Sequence, residues 1–148
     1  MSKIRIFVSF DLEHDKDLCQ LLLEQSEKLS SEFEVSGRSD ARTQRDPWGE
    51  EMRRRIRAAD EVIVICGEHT DESAGVSAEL RIAQEEKIPY FLLWGRRDLM
   101  CTKPAGAKSA EGMYSWTSQI LQDQITLTIR NARWDARAAS VAAAARKG

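Results

Sequence analysis

The sequence of 148 residues has no run close to the roughly 20 apolar residues that a membrane-spanning helix needs. It also lacks a basic segment followed by an apolar stretch at its N-terminus, because the apolar run from Lys3 to Val8 begins almost at once. Only three cysteines occur, and their wide spacing fits neither a disulfide framework nor a metal-binding pair. We therefore expect a cytoplasmic protein with no membrane association, disulfide or bound metal.

An excess of positive charge is missing too, since 22 Lys and Arg residues stand against 24 Asp and Glu residues. A net charge of -2 does not supply the basic surface that contacts with a phosphate backbone require. Nucleic acid is therefore not expected as a partner. The length fits a chain built around a single hydrophobic core.

Short apolar runs alternate along the chain with segments of helical periodicity, as in α/β proteins whose parallel strands are buried on both faces. The predicted strands are 4–8, 33–35, 61–66, 90–94 and 113–116, and the predicted helices are 14–30, a helix from 46, 72–87 and 117–132. We predict an α/β, flavodoxin-like three-layer sandwich with a central, mostly parallel sheet of about five strands. This domain spans residues 1–132, and the Ala- and Arg-rich segment 133–148 forms a C-terminal helix or tail.

Polar residues follow several of the predicted strands, at the sheet edge where ligands of open parallel sheets bind and where helix N-termini point. The candidate loops contain Ser9, Phe10 and Asp11 after the first strand, residues 37–45 after the second, Gly67 to Ser73 after the third, and residues 95–97 after the fourth. We expect these four loops to form the functional site.

Glu79 is the carboxylate that the third predicted helix brings closest to these loops. At about 100° per residue, it lies beside Ala83 at the edge of the apolar stripe that contains Val76. This position predicts partial desolvation. Glu85 faces the opposite side, and Glu86 lies two turns later at the far end of the sheet. The pattern alone fits either a functional carboxylate or an ordinary helix residue.

Each of several other candidate site residues has two possible interpretations. Gly67 ends a strand or lets a ligand approach the backbone. His69 is a hydrogen-bonded surface residue or a catalytic one, and Ser9 ends a strand or binds a ligand. Trp48 covers a ligand or the core, and Cys66 is a small hydrophobic residue or a nucleophile.

The most distinctive pattern is Gly-x-x-Thr-x-x-Ser-x-x-Val-x-x-Glu, which runs from Gly67 to Glu79. Ile-Phe-Val-Ser-Phe in the first strand and Asp-Pro-Trp before the second helix accompany it. With these motifs the chain resembles, over about residues 3–132, the TIR-like domains of Thoeris ThsB proteins in bacterial antiphage defence. A tryptophan frequent in that family just before the motif's valine is replaced here by Gly75.

The resemblance implies that NAD is cleaved at its nicotinamide glycosidic bond with Glu79 as the catalytic carboxylate, and that NAD is the substrate with no separate cofactor. In some such domains the ADP-ribose portion becomes a cyclic signal for a downstream effector. The expected nucleotide contacts are Ser9, Phe10, Asp11, Arg38, Arg42, Trp48, Gly67, His69, Thr70 and Ser73. Backbone amides in these loops, with Arg38 or Arg42, suit a pyrophosphate.

Two other functions fit the same fold. Many TIR-type domains act without catalysis through self-association, for which the charged loop from Arg38 to Arg45 and the helix faces are available. A nucleoside-type glycosyl transferase also uses one glutamate. A receiver domain is disfavoured, because its phosphoacceptor aspartate belongs at the end of the third strand, where Cys66 and Gly67 stand.

Overall fold

A computed structural model describes residues 3–28, 32–41 and 49–147. These residues contain a sheet of five parallel strands in the order β2-β1-β3-β4-β5. The strands are β1 (Ile4–Ser9), β2 (Phe33–Arg38), β3 (Glu61–Cys66), β4 (Tyr90–Trp94) and β5 (Met113–Ser115). The helices are α1 (Lys16–Lys28), α2 (Glu50–Arg57), α3 (Ala74–Glu85) and α4 (Ser118–Lys147), with a 3-10 turn at Thr70–Glu72. The predicted α/β, flavodoxin-like class is confirmed.

The sheet is covered on both faces, because the side chains of the three central strands β1, β3 and β4 alternate between two hydrophobic clusters. On the α1/α4 face, Ile63 and Ile65 of β3 share a cluster with Leu22 of α1 and Leu121 of α4. On the α2/α3 face, Val62 and Val64 share a cluster with Ile56 of α2 and Leu80 of α3. All six residues of β3 are buried, which explains its nearly continuous apolar run.

Strand β2 is longer than the predicted strand 33–35. It continues to Arg38 because it pairs with β1 across a register shift between Ile6 and Phe7. Helix α3 begins at Ala74 rather than near residue 72, because the preceding 3-10 turn leads into Ser73, whose Oγ accepts the amide of Val76 at 3.2 Å.

The last helix was expected to end near residue 132, but α4 continues to Lys147 as one helix of 30 residues. The predicted start of the second helix at Asp46 and Pro47 lies outside the described residues. Among the described helices, including α4, none is long and apolar enough to cross a membrane.

Candidate active site

Glu79 lies on α3 where this helix meets the carboxyl ends of β1 and β2. The Oγ atoms of Ser9 and Ser39 both donate hydrogen bonds to its Oε1, at 2.8 Å and 2.6 Å. Glu79 is 0% exposed, so the partial desolvation expected from the helical pattern is complete burial. The strands supply the additional cover, because both serines point from the sheet toward the helix.

The alternation of side chains along the strands explains this meeting. Val8 packs on the α1/α4 face, so the next residue, Ser9, points to the α2/α3 face and reaches Glu79. Arg38 is the register partner of Val8, and Ser39 follows it on the side of Glu79. The amide of Ser39 donates to the carbonyl of Val8 at 2.9 Å, which continues the pairing beyond β2.

Ser39 is a site residue that the sequence reasoning did not single out. Its Oγ accepts the amide of Phe10 at 3.0 Å while it donates to Glu79. Ser39 is 3% exposed. The sequence feature that could have pointed to Ser39 is its position in the loop 37–45, which follows the predicted second strand.

The protonation of Glu79 reflects its burial. Burial raises its pKa from the ordinary value of 4.5 to about 7, and the hydrogen bonds from Ser39 and Ser9 act in the opposite direction. Its Oε2 is buried and has no hydrogen-bond partner among the described residues. At neutral pH the group is therefore divided between acid and carboxylate.

The other predicted contacts do not all lie beside Glu79. Arg38 is exposed and interacts with the Cys19 thiol, which places it on the α1/α4 face, away from Glu79. Arg42 and Trp48 lie outside the described residues. Phe10 packs its ring in the core on the α1/α4 face.

Two backbone amides expected to bind a pyrophosphate are engaged within the protein. The amide of Phe10 donates to Ser39, and the amide of Gly67 donates to the Oγ1 of Thr70 at 2.8 Å. Thr70 is fully buried, and Ser73 caps α3. In this conformation these residues shape the loop after β3, and their internal bonds must break before a ligand takes the amides.

A second polar cluster lies in the loops that follow β1, β3 and β4. The rings of His14 and His69 stand 4.2 Å apart between centroids, and Asp11 Oδ2 lies 2.7 Å from Nδ1 of His14. This hydrogen bond raises the pKa of His14. The rings border a cleft of about 200 Å³, which is lined by His14, Asp15, Glu68, His69, Arg96 and Leu99.

Asp15 ties this cluster to the loop after β3. Arg96 donates to Asp15 Oδ1 at 3.0 Å and to Asp17 Oδ1 at 2.9 Å. Burial raises the pKa of Asp15, and the bond from Arg96 partly offsets this. The Asp15 carboxylate rests directly against the Cα of Gly67, where an added Cβ would overlap it. Gly67 directly follows the end of β3, and the carboxylate that lies against it belongs to this chain.

Gly67→Ala is expected to lower the free energy of unfolding by about 1–3 kcal/mol, because the new methyl group must displace the buried Asp15 carboxylate. Urea denaturation measures the loss. Gly112→Ala is the matched control, since a Cβ at Gly112 would meet no atom within 4 Å. Equal stability of the two variants would contradict the packing described for Gly67.

Comparison with known proteins gives one family match. The family model for "Thoeris protein ThsB, TIR-like domain" matches residues 7–96, a span that contains Ser9, Ser39 and Glu79. No curated protein matches the chain. A solved glutaminase domain of Trypanosoma brucei CTPS with bound acivicin is 21% identical with a TM-score of 0.44, and the match covers 62% of this chain and 36% of that one. So weak a likeness carries no functional argument.

Proposed function

The chain belongs to the family of TIR-like domains of the Thoeris protein ThsB, and from this premise we propose that it cleaves NAD at the nicotinamide glycosidic bond in antiphage defence. The observation that supports this most strongly is the buried carboxylate of Glu79. It stands at the carboxyl ends of parallel strands, with one oxygen held by two serines and the other unpaired among the described residues.

The reaction suits a single carboxylate. The bond between C1 of the ribose and the nicotinamide nitrogen breaks, and its electron pair leaves with nicotinamide, which becomes neutral. The ribosyl centre acquires positive charge in the transition state, and a nearby carboxylate stabilises it. The interaction is stronger at a buried site than in water. Water then adds to C1 and releases a proton to solvent to give ADP-ribose, whereas attack by a nucleophilic group of the same molecule gives a cyclic product.

The ionised form of Glu79 is the one that stabilises this charge. Because its pKa is about 7, only part of the protein carries the carboxylate at neutral pH. Deprotonation becomes complete above this value. We therefore expect kcat/KM for NAD to rise with pH through about 7 and then to level off.

Access to Glu79 requires movement, since its side chain is fully buried. The cleft at His14 and His69 lies at the same edge of the sheet, but its volume of about 200 Å³ is below the roughly 300–1,000 Å³ usual for ligand pockets. NAD binding must therefore displace side chains that cover Glu79.

The products distinguish the possible outcomes of NAD cleavage. Mass spectrometry of NAD incubated with the protein should show nicotinamide together with ADP-ribose or a product lighter than ADP-ribose by one water. Capture of the ribosyl group by an added free base would instead indicate a glycosyl transferase. No product at high protein concentration, with candidate triggers present, would contradict the proposal. A cyclic product would be the signal for a downstream effector.

A second candidate function is assembly without catalysis, which the surface of α4 favours. Leu127, Trp134 and Val141 are 39%, 68% and 65% exposed and recur every seven residues. This spacing places them along one side of the helix, as in helices that pair with another helix. Such a stripe suits self-association.

Trp134→Glu should abolish self-association if this stripe is the contact, because a charge would have to be buried in it. Light scattering over a range of protein concentrations measures the effect. Ala136→Glu introduces the same charge at an exposed position of α4 off the stripe and should associate like the wild type. Wild-type protein that stays monomeric at high concentration would contradict the assembly function.

A further inference from the structure

The two oxygens of Glu79 have different surroundings. Oε1 accepts hydrogen bonds from Ser9 and Ser39, which use both of its lone pairs. Oε2 is buried with no hydrogen-bond partner in the described part of the chain. When Glu79 is neutral, its proton therefore lies on Oε2, because a proton on Oε1 would displace one of the serines.

Ser39 is fixed more firmly than Ser9. The Ser39 hydroxyl accepts the amide of Phe10, so its single proton is directed to Glu79. Its own amide is bound to the carbonyl of Val8. Within the described residues, the Ser9 hydroxyl makes only the bond to Glu79. The orientation of the carboxylate thus depends chiefly on the residue after β2.

We propose that Ser39 is a positioning residue that holds Glu79 by Oε1 and thereby presents Oε2 to the ribosyl centre of the substrate. This inference rests on the proposed NAD cleavage and adds the residue that orients its carboxylate. Ser39 acts through Glu79 and does not itself contact the reacting atoms.

The groups around Glu79 make the contribution of Ser39 measurable. Burial and the two serines account for the pKa of Glu79, and no charged side chain of the described residues contributes.

The Cys66 thiol on the same face stays neutral, because burial raises its pKa to about 12. Beyond Ser39, Asp40 pairs with Arg55 of α2 at 3.4 Å, and beyond Ser9, Asp11 pairs with His14. Removal of the Ser39 hydroxyl should therefore raise the pKa of Glu79.

The first test is the pH dependence of kcat/KM for NAD in Ser39→Ala. The midpoint should move about one pH unit higher than in the wild type. The rate at pH 7 should fall, and a several-fold loss should remain at high pH, where Glu79 is ionised but no longer oriented, with little change in KM. Full recovery of the rate at high pH, or no shift of the midpoint, would overturn the proposal.

Two further variants serve as controls. Ser36→Ala removes an exposed hydroxyl from β2, the strand that precedes Ser39, and should leave the profile unchanged. The Ser36 hydroxyl lies 3.4 Å from the carbonyl oxygen of Ile6. Ser39→Thr keeps the hydroxyl and should restore the wild-type midpoint. Ser39→Cys, whose thiol is a weaker donor than a hydroxyl, should shift the midpoint in the same direction as Ser39→Ala and replaces it if that variant does not fold.

The second test needs no turnover. A ¹³C NMR titration of the glutamate carboxyl carbons, with the Glu79 signal assigned from Glu79→Gln, should show a higher midpoint for Glu79 in Ser39→Ala. An unchanged midpoint would overturn the positioning role whether or not NAD is cleaved. A raised midpoint in a protein that does not cleave NAD would instead refute the proposed function, and with it any role of Ser39 toward a substrate.

Discussion

Glu79→Gln should lower kcat/KM for nicotinamide release on the order of 10³-fold, because the variant keeps the shape of the side chain but cannot carry negative charge. Gln still accepts the hydrogen bonds of Ser9 and Ser39 through its carbonyl oxygen. Initial rates measure the loss, and circular dichroism verifies that the variant is folded. Wild-type rates in a folded Glu79→Gln protein would remove Glu79 from the reaction.

Glu79→Gln should also make the stability of the protein depend less on pH. The pKa of Glu79 is 4.5 in an unfolded chain and about 7 in the fold, so the folded protein binds the proton more tightly. The wild type therefore loses stability as pH rises from 4.5 to 7, by up to about 3 kcal/mol from this group. Gln does not titrate, so urea denaturation at pH 5 and pH 8 should show a smaller decrease in the variant.

A second large effect, on the stability of the protein, is expected from replacing Glu61, the first residue of β3. It is 0% exposed, and neither carboxylate oxygen has a hydrogen-bond partner among the described residues. Burial, with a smaller effect from Asp60, raises its pKa to about 9. Glu61 is therefore neutral at pH 7, and folding favours its protonated form.

Replacing Glu61 by Leu should stabilise the protein increasingly as pH rises. The wild type loses stability through Glu61 from pH 4.5 up to about 9, because the unfolded chain releases this proton at much lower pH. Between pH 7 and 9 the difference between variant and wild type should grow by about 2 kcal/mol, and the titration of Glu79, which both proteins share, cancels. Urea denaturation at the two pH values measures this growth.

Glu34→Leu is the matched control, because Glu34 is exposed on β2. It should show no such dependence on pH. A difference between Glu61→Leu and the wild type that stays constant from pH 7 to 9 would contradict the burial of an unpaired carboxyl group. Glu61 lies at the opposite end of β3 from the loops of the site, so NAD cleavage should survive its replacement.

The central strands could be predicted from the sequence because their pattern is local. The strands β3 (Glu61–Cys66) and β4 (Tyr90–Trp94) are apolar runs bounded by glycine, proline or charge, and the structure has them with the predicted bounds. Strand β2 could not be bounded in this way. Its second half is Ser36, Gly37 and Arg38, and only pairing with β1 across a register shift makes it a strand.

The same distinction applies to the candidate site. The helical angle of Glu79 and its distance from the loops followed from sequence spacing, whereas its full burial depends on serines from two strands. Ser39 and the orientation of Arg38 depend on the length of β2, which the sequence pattern underestimated. Local patterns predicted the position of Glu79 beside the loops, but strand register determines its partners.

Gly75 remains the clearest departure from the family pattern. It lies four residues before Glu79 on α3, and residues at this spacing share one face of a helix. A tryptophan here, which the resemblance implies for related domains, would stand one turn from the carboxylate, so its replacement by glycine leaves no side chain at this position.

The role of Glu79 in NAD cleavage can be measured by following nicotinamide release from NAD with wild type and Glu79→Gln side by side at equal concentration. We expect release by the wild type alone, at a rate that rises with pH through about 7. Equal release by both proteins, or none by either at high concentration and with candidate triggers present, would contradict it.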